Sequence, residues 1–146
     1  CRINNYIYIL HAQKVYKEMP DLLRFLPEYM AAHEASDEST LSIEPKANGI
    51  SVVQMLKEIT TLNIKETPTP TDSKEVRARA YSPRVECGRV FLVEGGWNEE
   101  FLAEVCGFPA QPHDEYVDIL GYAINALLDS DDDVDYSMIT KGFLGL

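Results

Sequence analysis

The chain has 146 residues, 45% hydrophobic and 25% charged, with 13 basic against 24 acidic side chains for a formal net charge of −11. That length supports one domain with a real core and leaves little room for two, so a single unit is expected. No apolar run approaches the length of a bilayer and no charged-then-apolar leader opens the chain, so no membrane partner is expected. The net charge at first sight argues against a nucleic-acid partner, since binding phosphates normally needs a basic surface. Three cysteines, Cys1, Cys87 and Cys106, form no CxxC pair, which argues against a disulfide framework or zinc ribbon and for the reduced thiols of a cytoplasm. The first residue is Cys1 rather than Met, so a fragment of something longer is expected.

Residues 3–10 alternate and are rich in Ile and Tyr, which predicts a strand. From Pro20, the residues Leu22, Leu23, Leu26, Tyr29, Met30 and His33 fall near one helical stripe, and Pro27 predicts a kink or a split within it. A polar break over 36–39 precedes a short alternating strand at 40–44, which Pro45 ends because it has no N–H for a ladder. Asn48-Gly49 offers a turn and a cap for a helix carrying Ile50, Val53, Met55, Leu56 and Ile59. A brief strand at 62–65 follows. The order of strand, helix, strand, helix, strand predicts an α/β fold with a parallel-containing sheet.

Residues 66–73 are too rich in Pro and Thr to fold regularly. Ser73 then caps a helix running through Arg77 and Arg79 toward Pro83. Gly88 precedes an apolar strand over 90–93, Gly95-Gly96 turns the chain, and a helix from Asn98 stops at Gly107. A last helix runs from about Pro112 to Leu128. Beyond it, Asp129, Asp131, Asp132, Asp133 and Asp135 crowd an acidic tail, 129–146, which reads as a solvated or disordered run. Gly88, Gly95 and Gly96 read as turn residues with unusual backbone angles.

Two features carry chemistry. In the segment from His113 to Asp118, a helix opened by Pro112 sets Asp114 and Asp118 four apart on one face, with Ile119, Tyr122, Ala123 and Ala126 able to pack beneath. Two like charges so placed repel unless something positive lies between them. A hard divalent ion, Mg²⁺ or Mn²⁺, answers that requirement; so does the bland alternative, in which acidic residues offset the positive end of the helix dipole. Glu44 is the second feature, a carboxylate ending an apolar strand, unexpected there unless paired, metal-bound or turned to solvent.

Charge is distributed unevenly. Over residues 74–89 five basic side chains, Lys74, Arg77, Arg79, Arg84 and Arg89, face two acidic ones, Glu75 and Glu86, which reads either as a solvated surface or as a phosphate-contacting strip. Trp97 and Phe101 fit a core or hydrophobic staple better than a base-stacking platform. No Ser/His/Asp set, HExxH or P-loop is present, which removes most hydrolase and NTPase readings.

Several blocks together resemble a known family: Lys74, Arg77 and Arg79; Pro83, Glu86, Gly88 and Val90; Trp97, Asn98, Phe101 and Leu102; Phe108-Pro109; and His113-Asp114-Glu115 with Val117 and Asp118. Their order, with Ser42-Ile43-Glu44-Pro45-Lys46-Ala47-Asn48-Gly49 upstream, resembles the C-terminal part of bacteriophage and prophage terminase large subunits up to about Leu128. The resemblance implies an RNase H-like nuclease domain over 1–128, a mixed sheet flanked by helices, which cuts concatemeric double-stranded viral DNA with two Mg²⁺ or Mn²⁺ ions. Glu44 matches the second metal-binding carboxylate. Asp114, with Glu115 and Asp118 beside it, matches the third. Glu115 stands where the family commonly has Asp, which keeps the charge and lengthens the arm. His113 is an auxiliary candidate that orients a carboxylate or shuttles a proton, or is a plain surface residue. Lys46, Lys74, Arg77, Arg79 and Arg84 are candidate DNA contacts.

The family's first strand, with its aspartate, has no counterpart before Tyr6, so the first strand is expected to be missing and the fragment to bind metal poorly and cut DNA weakly. The implied partners are the N-terminal ATPase domain of the same protein, the portal and the small terminase subunit, in the cytoplasm of a bacterial host. The alternative is a non-catalytic RNase H-like interaction module of the packaging motor, its acidic tail docking a basic partner.

Overall fold

A computed structural model describes residues 1–35, 39–46, 49–128, 134–135 and 137–140. Asp129, Asp131, Asp132 and Asp133 of the acidic run, Asn48 of the turn and residues 36–38 of the polar break lie outside the described residues. The fold is α/β, with five helices and seven strands among the described residues. Where one domain and a tail are expected, the chain divides into two compact units, one of residues 1–14 and 70–135, the other of 15–69 and 136–146. Each unit gathers its own apolar cluster, and the Pro-rich stretch between strand and helix lies where they part.

In the first unit the predicted opening strand is a hairpin, β1 (Arg2–Ile3) and β2 (Tyr6–Ile9), with Ile3 opposite Tyr6. The turn is possible because Asn4 takes a φ of 53°, a left-handed conformation that Asn tolerates better than most residues. β5 (Val90–Leu92) lies parallel to β2, and β6 (Val134–Asp135) antiparallel to β1, for a sheet order β5-β2-β1-β6. Ile7 is buried with partly buried Ile9, Val90 and Leu92 in the cluster that α3 (Lys74–Glu86), α4 (Asn98–Gly107) and α5 (Glu115–Leu128) complete. Alternation sends Tyr8 and Phe91 to the other face, where their rings stack with centroids 5.4 Å apart.

Local signals explain the helix ends of this unit. The Ser73 hydroxyl accepts from the Val76 N–H at 3.3 Å and caps α3 as predicted. The helix continues through Pro83, then closes with Gly88 at φ +66°, its N–H bonding the Val85 carbonyl and the Arg89 N–H that of Arg84. Those two bonds are a Schellman motif, the arrangement for which glycine is favoured after a helix. Phe101 is buried and packs edge-on against Trp97 at 5.4 Å, the core role expected of the pair.

The second unit holds α1 (Met19–Ala32), β3 (Thr40–Ile43), α2 (Gly49–Ile59), β4 (Asn63–Glu66) and β7 (Ser137–Thr140). All three strands are parallel, with β3 in the centre. Leu41, Ser42 and Ile43 are all buried, as a parallel strand covered on both faces requires. The α1 stripe of Leu22, Leu23, Leu26 and Met30 is buried as predicted, but Pro27 sits inside one continuous helix rather than splitting it. On α2 the buried residues are Val52, Val53 and Leu56, whereas Ile50, Met55 and Ile59 are exposed. With Gly49 the buried residues stand at the i, i+3, i+4, i+7 spacing of one helix face, so the periodicity marks the buried side, and Ile50, Met55 and Ile59 lie off it. No helix among the described residues is long and apolar enough to cross a membrane.

Candidate carboxylate site

The last helix starts three residues later than Pro112, at Glu115. Asp114 is therefore the residue before the first turn, and its carbonyl accepts the Asp118 N–H at 3.2 Å. Asp118, one turn on, is only 4% exposed. The core face of α5 is Tyr116, Val117, Leu120, Ile124 and Leu127, because α3 and α4 both pack against this helix; of the expected stripe Tyr122 is buried, whereas Ile119, Ala123 and Ala126 are only partly so.

The charge between the two aspartates is supplied by α3. Lys74 places its ammonium on the Asp114 carboxylate and, at 3.0 Å, on Asp118 Oδ2. Arg77, one turn further, donates to Asp118 Oδ1 and through its other Nη to the Asp72 carbonyl at 2.7 Å. Tyr81, the next turn, donates its hydroxyl to the Val117 carbonyl at 3.3 Å. The spacing 74, 77, 81 is one face of a helix, so a single α3 stripe meets the start of α5 with two cations and a phenol. Gly121 lets the helices close: a Cβ there would lie 3.1 Å from the Tyr81 ring.

This geometry shifts the titrations. Burial would lower the Lys74 ammonium, but its hydrogen bonds to Asp114 and Asp118 outweigh it and hold the group above its ordinary 10.5. Burial, aided by the Asp118 carboxylate, pushes Tyr81 up to about 12.

A second cluster lies at the same helix start and was not foreseen. Glu104 of α4, 6% exposed, accepts the Tyr116 N–H at 2.5 Å and pairs with Lys14. Lys14 also reaches Glu115 at 3.3 Å and sits 4.6 Å from the centre of the Tyr116 ring. Burial works to raise the Glu115 carboxyl, yet its own backbone hydrogen bond and Lys14 hold it below its ordinary range. His113 is exposed, with Nδ1 3.7 Å from Glu115. Lys14 and Glu104 are 90 residues apart, and no local pattern links them. The one signal for Glu104 is a charge on the apolar stripe three residues after Phe101.

Glu44 belongs to the other unit. It directly follows β3 and is 1% exposed, so the solvent-facing alternative is overturned; Lys46 pairs with it at 2.8 Å. Gly49 opens α2 against this residue, since a Cβ at 49 would stand 2.1 Å from the Glu44 carbonyl oxygen. Only glycine allows that approach without moving the backbone.

The candidate residues therefore separate into groups. Asp114 and Asp118 share Lys74; Glu115 and His113 turn toward Lys14; Glu44 and Lys46 pair with each other. Of the candidate DNA contacts, Lys46, Lys74 and Arg77 already hold carboxylates, while Arg79 is exposed and Arg84 half-buried. Hard oxygen donors suit Mg²⁺ or Mn²⁺, but both aspartates carry ion pairs. Among the described residues no group of three or more His, Cys, Asp or Glu side chains could hold a metal ion. The residues of this cluster do not by themselves fit a metal centre. No protein-family model, curated protein or solved structure matches the chain.

Proposed function

We propose that the chain is part of the RNase H-like nuclease domain of a phage or prophage terminase large subunit, an endonuclease acting on double-stranded viral DNA. The observation that carries this reading is Glu44, an almost fully buried carboxylate at the C-terminal end of the central strand of a parallel sheet. Burying a carboxylate costs several kcal/mol after relaxation, and ligands of open α/β sheets bind outside the carboxyl ends of the strands. A functional group is thus the economical explanation for a Glu at that position. The order of the sequence blocks and the buried Asp118 one turn into the last helix support the same reading.

On this reading Glu44 matches the family's second metal-binding carboxylate and Asp114, with Glu115 and Asp118 next to it in sequence, matches the third, and the resemblance implies two Mg²⁺ or Mn²⁺ ions in the intact domain. Arg79 and Arg84 contact DNA, the ATPase domain of the same protein drives packaging, and the portal and small subunit are neighbours in the host cytoplasm. The test is incubation of the natural full-length protein with supercoiled DNA and Mn²⁺. Nicked and linear products are expected, and cleavage that survives combined Glu44→Ala and Asp114→Ala changes would overturn the proposed site.

A specific observation favours a second reading. Asp114 and Asp118 are neutralised from within by Lys74 and Arg77, as suits a non-catalytic module of the packaging motor. A full-length protein that binds the portal and leaves DNA uncut supports this alternative.

A further inference from the structure

The metal expected between Asp114 and Asp118 disagrees with what lies there. The two carboxylates bring two negative charges, and Lys74 and Arg77 bring two positive ones. We infer that Lys74 is the resident counter-ion of this pair and that it keeps divalent cations out of it in this chain.

The argument is one of charge and reach. Asp118 is buried, and a buried carboxylate needs a partner that is always present rather than one drawn from solution. Arg77 is fixed at both ends of its fork, to Asp118 and to the Asp72 carbonyl, so it stays. Lys74 has a flexible stem and bridges both aspartates. A divalent ion binding both carboxylates must displace that ammonium. It would then sit beside an expelled cation and the fixed Arg77, a repulsion that a half-buried setting screens poorly. With the Lys74 charge removed, the pair keeps only Arg77 and a net negative charge, and a hard cation becomes the natural replacement.

The test is Mn²⁺ binding to the chain, read by electron paramagnetic resonance on the wild type and on Lys74→Met, which keeps an unbranched apolar stem and loses the ammonium. The expected result is binding at least roughly tenfold tighter in Lys74→Met, abolished by adding Asp118→Asn. Affinity no tighter than the wild type overturns the inference. Should Lys74→Met fail to fold, the wild type decides: in a Mg²⁺ titration followed by NMR, a still Asp118 carboxyl resonance supports the inference and a saturable shift overturns it. Neither readout depends on whether the full-length protein cuts DNA, so failure of the nuclease reading and failure of this inference are separate results.

Discussion

Glu104 accepts the backbone N–H of Tyr116 at 2.5 Å, so a carboxylate from one helix caps the first turn of another. Asp114, the residue placed to cap that turn itself, is turned instead to Lys74. The cap and the ion pair thus come from different elements, and both converge on the start of α5.

Replacing Glu104 tests that arrangement. Glu104→Ala strands the Tyr116 N–H and leaves Lys14 only its contacts with Glu115, Glu100 and the Tyr116 ring, and should cost about 1–3 kcal/mol, the range for a buried donor left unsatisfied. Glu104→Gln retains an acceptor for Tyr116 and should cost less. Urea denaturation of the two variants and the wild type separates these outcomes; equal midpoints for all three would remove the cap from the account.

Gly49→Ala should destabilise the second unit by about 2 kcal/mol or more, because backbone must move where the new Cβ meets the Glu44 carbonyl oxygen. Gly88→Ala should cost about 1 kcal/mol, since its strain is confined to a left-handed φ with open space around it. Thermal or denaturant midpoints should rank the two in that order.

Raised pKa values predict loss of stability in alkali. Tyr81 is pushed up by burial and then by Asp118, and Tyr116 by burial and then by Glu100, each to about 12 from 10.0. Lys74 is also raised, because its hydrogen bonds to Asp114 and Asp118 outweigh burial. A group whose folded pKa exceeds its unfolded one binds more protons when folded, so its stabilisation is complete below pH 10 and declines as pH climbs toward 12. Tyrosinate absorbance should therefore show two phenols ionising late or together with unfolding. All eight tyrosines titrating near 10 in a still-folded chain would contradict this.

The Tyr81–Gly121 contact makes a prediction about size. Gly121→Ala asks the ring to give by a few tenths of an ångström and should cost about 1 kcal/mol, whereas Gly121→Leu should cost about 3 kcal/mol by overpacking. Hydrogen exchange at the α3 and α5 amides should rise with the larger side chain, and equal effects of Ala and Leu would mean that the helices separate freely.

The sequence alone determined most of the element pattern, because that pattern rests on local rules. Ser73 capping, the glycine after α3, the apolar stripe of α1, the Pro-rich loop and the strand ended by Pro45 all depend on neighbours within a few residues. It also singled out Glu44, Asp114 and Asp118 as carboxylates in costly positions. Where local rules gave no unique answer it failed: Pro27 is carried inside α1, and Asn4 turns a single predicted strand into a hairpin. Tertiary structure alone decided the partners. Lys74 stands 40 residues from Asp114 and Arg77 41 from Asp118, and only the packing of α3 on α5 turns a surface-like basic strip into the counter-charge of a buried aspartate. Electrostatic pairing acts through space, and sequence separation does not record which charges folding will bring within a few ångströms of each other.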